Sequence, residues 1–435
     1  MQLQSIRVTN YRCYAELNVE FKPGMNVIAG VNGSGKTSLL RAVREALQGL
    51  MGFIPNPSGA FTPLQDSEIR LLMTTVNGRV RYEPQFPAGV SVVGTVFGQQ
   101  RSWSVTKAGQ ANGPFLEGQL PGQLWHDLSQ KIGSNDLENS ITLPIVAFYP
   151  AYRQWPAARP NELQAATMRT SRVHGYHQWW EASTQAAELQ GWAIGKSMER
   201  LQLVAERSVS WDTVRDDELA LVNAAVATVV EGAKGLRYDF AQKALVVDWL
   251  KVDRQSTLFD NLSDGQRVSI ALVADIALRM CMLNPHLGQA VTEQTPGVVL
   301  IDELDIHLHP SWQRRMVASL TKAFPAVQFI ATSHSPQILS ELEREQIILL
   351  SNGDSPLHPI ASYGLDASRV LEQIMGTSSR PVEVQRLLDE MFLVIERNDL
   401  ERGGAMLEQL KKTAPDLPEL ARAEALIKRK QVLGR

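Results

Sequence analysis

One octapeptide near the amino terminus constrains the fold of this chain more than any other feature. Residues 30–37 read Gly-Val-Asn-Gly-Ser-Gly-Lys-Thr and match the pattern G-x-x-x-x-G-K-[ST] at every fixed position. An apolar segment at residues 25–29 predicts a strand before them, and a helix is predicted from Thr37 to about Leu50. Glycines let backbone N–H groups converge on a phosphate, and the helix adds its positive amino-terminal end. The sequence therefore predicts a strand, loop and helix that bind nucleotide phosphates; a chance glycine-rich turn is the alternative.

The polar residues of this loop have expected roles in binding ATP and Mg²⁺. Lys36 should reach the β- and γ-phosphates, and the Thr37 hydroxyl should ligate Mg²⁺. Further nucleotide contacts are expected from Asn32, Gly33, Ser34, Gly35 and Ser38.

A pair of acids closes an apolar segment much later in the chain. Residues 298–303 read Val-Val-Leu-Ile-Asp-Glu, as a buried parallel strand would if both of its faces were covered. Ligands of open α/β sheets bind at the carboxyl ends of the strands. Asp302 is therefore expected to hold Mg²⁺, through water, and Glu303 to activate the attacking water. A charged strand end that faces solvent is the alternative.

Three shorter segments agree with these two. Residues 262–266, Leu-Ser-Asp-Gly-Gln, open a predicted helix, and a helix start with a hydroxyl and free N–H groups attracts anions. Alone, this segment predicts only a helix cap. Asp305 follows the acid pair, and His334 ends the next predicted strand. A lone histidine is more often structural, so the functional interpretation of His334 depends on its position at the end of the strand that follows the acid pair.

These five segments, in this order, resemble the motifs of ABC-type ATPases. The resemblance implies that Ser263 and Gly265, with the helix N-terminus, embrace the γ-phosphate bound by another subunit, and that Asp264 and Gln266 belong to the same nucleotide-binding segment. It also implies that Asp305 crosses the dimer interface and that His334 contacts the γ-phosphate. Asp264 replaces the first of the two glycines usual in the family. A homodimer or higher homo-oligomer that hydrolyses ATP with Mg²⁺ is therefore expected.

Further segments resemble the branch of this family that includes RecF-, OLD- and SMC-like proteins. More than 200 residues separate Lys36 from Ser263, farther than in transporter subunits, and no long heptad pattern fills the gap. The segment from Asp302 to Pro310 matches Asp-Glu-x-x-x-His-Leu-His-Pro, and residues 10–12, Asn-Tyr-Arg, match that branch's first strand. Arg153 follows a matching strand at 143–149. Two roles stay open for Arg12 and Arg153: contact with nucleotide, or a surface or ion-pair role.

Beyond that branch, the chain resembles the stand-alone ATPases of anti-phage operons, the PtuA type of Septu and retron systems. The similarity extends into the tail, where residues 363–369 read Tyr-Gly-Leu-Asp-Ala-Ser-Arg. About a hundred residues follow His334, without the acidic pattern of a Toprim nuclease or a His-Asn-His pattern. The resemblance thus implies a separate nuclease effector, of the HNH type. A RecF-like ATPase that clamps DNA is the alternative, and direct binding of DNA or RNA stays open.

The fold class expected is α/β: an ABC-ATPase head with a mixed parallel sheet flanked by helices, an antiparallel β subdomain, a helical insertion and a helical carboxy-terminal tail. Antiparallel strands are predicted at 79–82, 90–97 and 101–106. Predicted helices and strands then alternate from Gly265 to Thr332, as in a parallel sheet. We expect residues 1–155 to form the first ATPase lobe, 156–235 the helical insertion, 236–362 the second lobe and 363–435 the tail.

Composition limits the kinds of partner, metal site and cellular location that are expected. The net charge of −3 gives no general affinity for nucleic acid. Cys13 and Cys281 lie far apart, which argues against disulfides and against a zinc site. The first residues do not read as a signal peptide, and no segment reaches the ~20 apolar residues of a membrane span. A cytoplasmic protein with no membrane partner is expected.

Overall fold

The computed structural model describes residues 1–52, 62–118, 141–153, 155, 171–184, 186–251, 255–350, 362–378 and 380–433. The chain separates into two compact units, Met1–Gly364 and Leu365–Arg435.

All strands among the described residues lie in the first unit. In chain order they are β1 Gln2–Tyr11, β2 Tyr14–Glu20, β3 Met25–Ala29, β4 Leu71–Val76, β5 Arg79–Pro84, β6 Ala88–Val96, β7 Gln99–Lys107, β8 Phe115–Gly118, β9 Ile145–Tyr149, β10 Ala233–Asp239, β11 Ala244–Trp249, β12 Thr257–Leu258, β13 Gly297–Ile301, β14 Val327–Thr332 and β15 Ile347–Leu349. The α-helices of this unit are α1 Lys36–Met51, α2 Ala186–Arg207, α3 Glu218–Val229, α4 Asp264–Leu283, α5 Val291–Gln294, α6 Pro310–Ala323 and α7 Pro336–Leu339.

A parallel sheet carries the two strands that the phosphate loop and the acid pair follow. Its order is β15-β3-β14-β13-β9, and each of these pairings is parallel. Every residue of β3, β9, β13 and β14 is buried. Such apolar strands need cover on both faces, which agrees with the predicted α/β class. Because β3 and β13 are parallel and separated only by β14, their carboxyl ends lie at one edge of the sheet.

Helix α1 lies between this sheet and a second, antiparallel sheet of order β2-β1-β6-β7-β8. The apolar face predicted for α1 is fully buried at Leu39, Leu40, Val43 and Leu47. The indole Nε1 of Trp103 in β7 donates to the carbonyl of Ala46 at 2.8 Å. The helix that follows the phosphate loop is therefore fixed on both sides, which fixes the loop as well.

The predicted helical insertion is broken more often than its pattern indicated. Within its described part, two 3₁₀ segments, Arg172–Tyr176 and Trp179–Thr184, precede α2, and β10 begins at Ala233. The chain leaves the helix after Arg207, and α3 begins at Glu218, where the Asp217 carboxylate caps it by accepting from the backbone N–H of Ala220 at 2.9 Å. Residues 156–170 of the expected insertion lie outside the described part.

The second unit is helical, as predicted. Its helices are α8 Ala367–Gln373, α9 Val382–Glu396, α10 Leu400–Thr413 and α11 Pro418–Leu433. The last three share their own apolar core, which includes Leu388, Met391, Ile395, Leu410 and Ala423. No helix in the described ranges is both long and apolar enough to cross a membrane.

Candidate functional site

The phosphate loop has a backbone that only glycine accommodates at two of its positions. Gly33 and Gly35 have φ angles of 82° and 100°, in the left-handed region. A Cβ atom on Gly35 would lie 2.3 Å from the Tyr14 hydroxyl oxygen, which itself donates to the Gly35 carbonyl at 2.9 Å. The glycines of the motif are thus required by conformation and by close packing.

Lys36 begins α1 and bends back over the loop. Its ammonium Nζ donates to the carbonyls of Gly30 at 2.9 Å and Val31 at 2.8 Å, and the residue is 6% exposed. Burial lowers the pKa of Lys36, while the carboxylates of Asp302 and Glu303 act in the opposite direction. The positive charge therefore lies beside the acid pair, inside the curve of the loop.

Ser34 gives a direct sign that the loop is shaped for a ligand. Its hydroxyl Oγ is buried and finds no hydrogen-bond partner among the described residues. A buried hydroxyl without a partner is costly unless a bound group supplies one. Phosphate oxygens are such a group.

The Mg²⁺ ligands predicted from the sequence meet in the structure. The Thr37 hydroxyl Oγ1 lies 3.2 Å from the Asp302 carboxylate Oδ1, which also accepts from the Thr332 hydroxyl at 2.6 Å. Neighbouring ligands of an octahedral Mg²⁺ lie about 2.9 Å apart. Thr37 and Asp302 thus offer two hard oxygen atoms at the spacing that Mg²⁺ accepts, directly or through water.

Glu303 lies at a sharp turn of the chain. Its φ angle is 49°, which is uncommon for a residue with a side chain. The turn is held by Thr332, whose hydroxyl accepts from the Glu303 N–H at 2.7 Å and whose carbonyl accepts from the Leu304 N–H at 2.8 Å. Such a conformation costs about 1–3 kcal/mol and persists only where its surroundings hold it.

Arg153 is one of the surrounding groups that hold this turn. It is 3% exposed, and its guanidinium donates to the carbonyls of Asp302 at 2.5 Å and Glu303 at 2.8 Å. Burial lowers the pKa of Arg153 to about 10, against the effect of the carboxylates nearby. Because Arg153 is buried and donates to backbone carbonyls, it is not a surface residue in this structure.

Arg12 has an ion pair instead. Its guanidinium Nη1 lies 3.0 Å from the Glu68 carboxylate, which also accepts from the Tyr11 hydroxyl at 2.9 Å. Burial would raise the pKa of Glu68, but the bond from Tyr11 and the charge of Arg12 outweigh it and lower that pKa. Of the two roles predicted for Arg12, the structure describes the ion pair.

His334 and Asp305 lie on the same side of the sheet as the acid pair. The backbone N–H of His334 donates to the Asp305 carboxylate at 3.3 Å. Burial and the charge of Lys36 lower the pKa of His334, although Asp305 and Glu303 oppose them. The imidazole is therefore neutral at pH 7, able to donate from one ring nitrogen and accept at the other.

The segment from Ser263 to Gln266 begins α4, and its polar groups bond within that helix start. The Ser263 hydroxyl caps the helix by accepting from the Gln266 N–H at 3.4 Å, and Asp264 forms an ion pair with Arg267. A Cβ on Gly265 would lie 2.3 Å from the carbonyl oxygen of His307. This helix start thus rests on the loop that follows the acid pair, with Ser263 and Asp264 exposed.

The structure therefore brings together Lys36, Thr37, Asp302, Glu303, Asp305 and His334. The sequence interpretation missed Thr332, which contacts both acids through one hydroxyl. The signal was available, since Thr332 is a polar residue that ends its strand directly after the apolar run 329–331.

Comparisons with known proteins show that this chain is similar to ATPases. A family model described as an AAA domain matches residues 5–207, and one described as an AAA domain, putative AbiEii toxin, Type IV TA system, matches residues 201–340. The Retron Ec83 probable ATPase of Escherichia coli is 25% identical over 94% of this chain and 84% of its own length. The Septu protein PtuA of Bacillus mycoides is 45% identical over 31% of this chain and 19% of its own. The DNA replication and repair protein RecF of Heliobacterium modesticaldum is 46% identical over 10% of this chain and 12% of its own.

Proposed function

We propose that this chain, an ATPase of the ABC type related to the retron and Septu ATPases, hydrolyses ATP at a site that a second copy of the chain completes. The observation that carries the proposal is a division of the motifs. Lys36, Thr37, Asp302 and Glu303 meet within one molecule. Ser263 and Asp264, by contrast, are exposed, and among the described residues their side chains bond within the helix start itself.

Within its own half of the site, each residue has one task. Lys36 neutralises phosphate charge, and Glu303 orients and activates the attacking water from the turn that Thr332 and Arg153 hold. His334 contacts the γ-phosphate as a neutral donor. Mg²⁺, held through Thr37 and Asp302, offsets the negative charge that the phosphates carry during transfer.

The second copy supplies an anion-binding helix start. The N-terminus of α4 carries the positive end of the helix dipole and the Ser263 hydroxyl, both at the surface. When this helix start lies against the ATP of the other copy, it binds the γ-phosphate of that ATP, and the site is complete only in the dimer. Hydrolysis then depends on assembly.

Mixing two inactive variants tests the composite site. Lys36→Ala removes the phosphate-loop half and Ser263→Arg blocks the partner half, so each homodimer should be inactive. In a 1:1 mixture, half of the dimers are mixed and each keeps one intact site, which predicts about a quarter of the wild-type turnover. ATP hydrolysis by each variant and by the mixture is measured at equal total protein.

Lys36→Ala mixed with Glu303→Gln is the matched control. Both substitutions lie in the same half of the site, so a mixed dimer keeps no intact site and turnover should stay absent. Recovery in this control, or none with Ser263→Arg, would show that the site is not divided between two copies as proposed.

We further propose that nucleotide state controls a separate nuclease effector in bacterial anti-phage defence. The similarity to the retron ATPase over most of both chains supports this, as does the local similarity to the Septu protein. The nuclease is expected to bind through the helical tail or through the tryptophan-containing helices predicted at residues 161–234. The complex is expected to form in the cytoplasm and to release the nuclease when the nucleotide state changes.

Co-expression with the products of the adjacent genes tests this control. The ATPase should purify with a nuclease, and Glu303→Gln should alter the bound fraction in the presence of ATP. Recovery of the ATPase free of any nuclease, under conditions where both are expressed, would contradict the proposal.

A DNA clamp of the RecF kind is the second candidate. The local similarity to a RecF protein favours it, although that similarity spans only 10% of this chain. A clamp predicts that duplex DNA stimulates ATP hydrolysis, with an affinity that falls steeply as salt rises. The net charge of −3 favours the first candidate, and hydrolysis unaffected by DNA at low salt would exclude the second.

A further inference from the structure

Two histidines and a glutamate lie together away from the nucleotide site. His174 lies within the 3₁₀ segment Arg172–Tyr176, and His177 caps the end of that segment. Glu188 lies in the first turn of α2. We propose that these three side chains form a binding site for a Zn²⁺ ion. The proposal is independent of the ATPase mechanism and of the two cysteines of the chain.

The distances fit a metal centre. The ligating atoms of the three side chains all lie within 4.8 Å of one another. The Glu188 oxygen Oε1 is 2.5 Å from His177 Nδ1 and 3.9 Å from His174 Nε2. Two ligands of a tetrahedral Zn²⁺ lie about 3.3 Å apart, because each bond is about 2.0–2.2 Å long. Shifts of less than 1 Å, within reach of side-chain rotation, therefore bring both pairs to the required spacing.

His174 is the part of the cluster that an ordinary hydrogen bond does not explain. His177 and Glu188 alone would form a satisfied pair. The Nε2 atom of His174, however, is buried and has no hydrogen-bond partner among the described residues. This Nε2 atom faces the same Glu188 oxygen that His177 contacts, but its distance of 3.9 Å from that oxygen is too long for a hydrogen bond. A metal ion that accepts both imidazoles and the carboxylate satisfies all three.

The ligand types select zinc over the Mg²⁺ of the nucleotide site. Two imidazoles and one carboxylate suit Zn²⁺, and they leave a fourth position for water. Mg²⁺ prefers an octahedron of oxygen atoms. The three side chains are partly covered, with 16%, 18% and 30% of their surfaces exposed for His174, His177 and Glu188, so an ion can enter from one side.

The turn that carries both histidines, residues 172–177, is held by hydrogen bonds before any metal binds. Arg172 donates to the carbonyls of Leu283 and Ile141, both at 2.7 Å, and the Tyr176 hydroxyl donates to the Pro144 carbonyl at 2.8 Å. A Cβ on Gly175 would lie 2.7 Å from Leu283 Cγ, so the turn lies directly against the end of α4. Ligands fixed in this way lose little freedom on binding a metal.

A buried network connects this turn with β9, the strand that pairs with β13, which leads to the acid pair. The Arg279 guanidinium donates to the carbonyls of Gly175 and His177, at 3.0 and 2.9 Å, and pairs with Asp275 at 2.7 Å. Asp275 in turn accepts from the Tyr149 hydroxyl at 2.6 Å, and Tyr149 ends β9. The Arg279 charge is thus offset by Asp275, and the ion would join the start of α2 to the helix that carries the signature segment.

Zinc content is the direct test. Untagged protein is incubated with Zn²⁺, dialysed against metal-free buffer containing Mg²⁺, and analysed for metal by mass spectrometry. Wild type should keep about one Zn²⁺ per chain. His174→Ala and Glu188→Gln should bind Zn²⁺ more than ~100-fold more weakly, because loss of an outer-shell group alone costs about 10–100-fold.

His286→Ala is the matched control, because His286 is also partly buried with one ring nitrogen unpaired, but it belongs to no group of three potential metal ligands in the described part of the chain. It should bind Zn²⁺ as wild type does. Co²⁺ gives a second measurement, since its visible spectrum should change with wild type and His286→Ala and not with His174→Ala.

Glu188→Gln keeps the shape of the side chain, and its thermal unfolding without metal should match that of wild type. The proposal is overturned if wild type retains no Zn²⁺ after dialysis, or if His174→Ala and Glu188→Gln retain as much as wild type. It is also overturned if excess Mg²⁺ displaces the ion.

Discussion

Asp302 and Glu303 are adjacent in sequence but have different surroundings. Asp302 is 3% exposed and accepts from two hydroxyls, those of Thr37 and Thr332. Glu303 is half-buried, and the left-handed turn at its Cα places its side chain beyond the end of the strand. A carboxylate fixed by hydroxyls suits a metal, whereas a less enclosed one can reach water. This difference supports separate roles for the two acids.

Glu303→Gln and Lys36→Ala separate binding from turnover. Glu303→Gln keeps size and removes the base, so ATP should still bind while turnover falls at least about 100-fold, the usual contribution of a general base. Molecules that bind ATP and do not hydrolyse it should accumulate as dimers. Lys36→Ala should fail to bind ATP. Nucleotide binding, phosphate release and size-exclusion chromatography measure these outcomes, and normal hydrolysis by Glu303→Gln would disprove the assignment of the base.

Arg153→Lys tests a residue that acts only by positioning the acid pair. A lysine has one donor group and cannot reach both carbonyls in the fixed fork of a guanidinium. We expect kcat to fall by about 100-fold, the cost of a displacement of about 1 Å, while KM for ATP changes little. Steady-state kinetics separate the two constants.

Arg172→Lys is the control for Arg153→Lys, because Arg172 also donates to two carbonyls, at 2.7 Å each, but away from the acid pair. Its kcat should stay near that of wild type. Equal losses of kcat in both variants would indicate a general loss of stability and not a role at the site.

At the scale of single residues, the sequence predicted those site residues that lie together in one short, continuous segment. The phosphate loop and the acid pair belong to that group. The contacts of Arg153 were beyond it, because its hydrogen bonds join positions 149 and 150 residues apart in the chain and end on backbone carbonyls. A carbonyl carries no side-chain signature, so only the fold reveals which one is held.

Among the elements, the buried apolar strands and the exposed β5 were predicted correctly, whereas β4 and the short strands β8, β12 and β15 were missed. β4 has a half-exposed Leu71 and a Met73 that is 62% exposed, so it lacks the alternation of a half-buried strand. β15 is three residues long. The helical pattern after residue 161 continued in the prediction through the break before α3, because a single capping residue, Asp217, is a weak signal.

Gly265→Ala tests the contact between the signature helix start and the loop after the acid pair. The new Cβ would lie 2.3 Å from the His307 carbonyl oxygen, so helix and loop must separate. We expect a loss of about 1–3 kcal/mol in unfolding free energy, the usual effect of overpacking, together with loss of ATP turnover. Chemical denaturation and phosphate release measure the two effects.

Gly404→Ala is the matched control in a helix interior. A Cβ there meets no atom within 4 Å, so alanine should stabilise the chain by about 0.5–1 kcal/mol and leave turnover unchanged. If Gly265→Ala behaved like this control, the helix start would not need its close approach to the loop.

For the whole molecule, the predicted lobes 1–155 and 236–362 draw on the same sheets. Strand β9 from the first lobe pairs with β13 from the second, and β3 pairs with β14. The phosphate loop and the acid pair can therefore meet only when both segments fold together. The expected domain limits stay a prediction, whereas the first 364 residues form one compact unit in the structure.

This arrangement predicts the effect of removing the second unit. Residues 365–435 have their own apolar core in the α9, α10 and α11 helices, and all predicted site residues precede them. A chain that ends at Gly364 should therefore stay folded and bind ATP with a Kd within about twofold of wild type, because it keeps the whole first unit and every predicted site residue. If the tail holds the nuclease, the shortened chain should lose the nuclease while its ATP turnover persists, the opposite of Lys36→Ala. Loss of ATP binding on truncation would instead show that the tail is part of the nucleotide site.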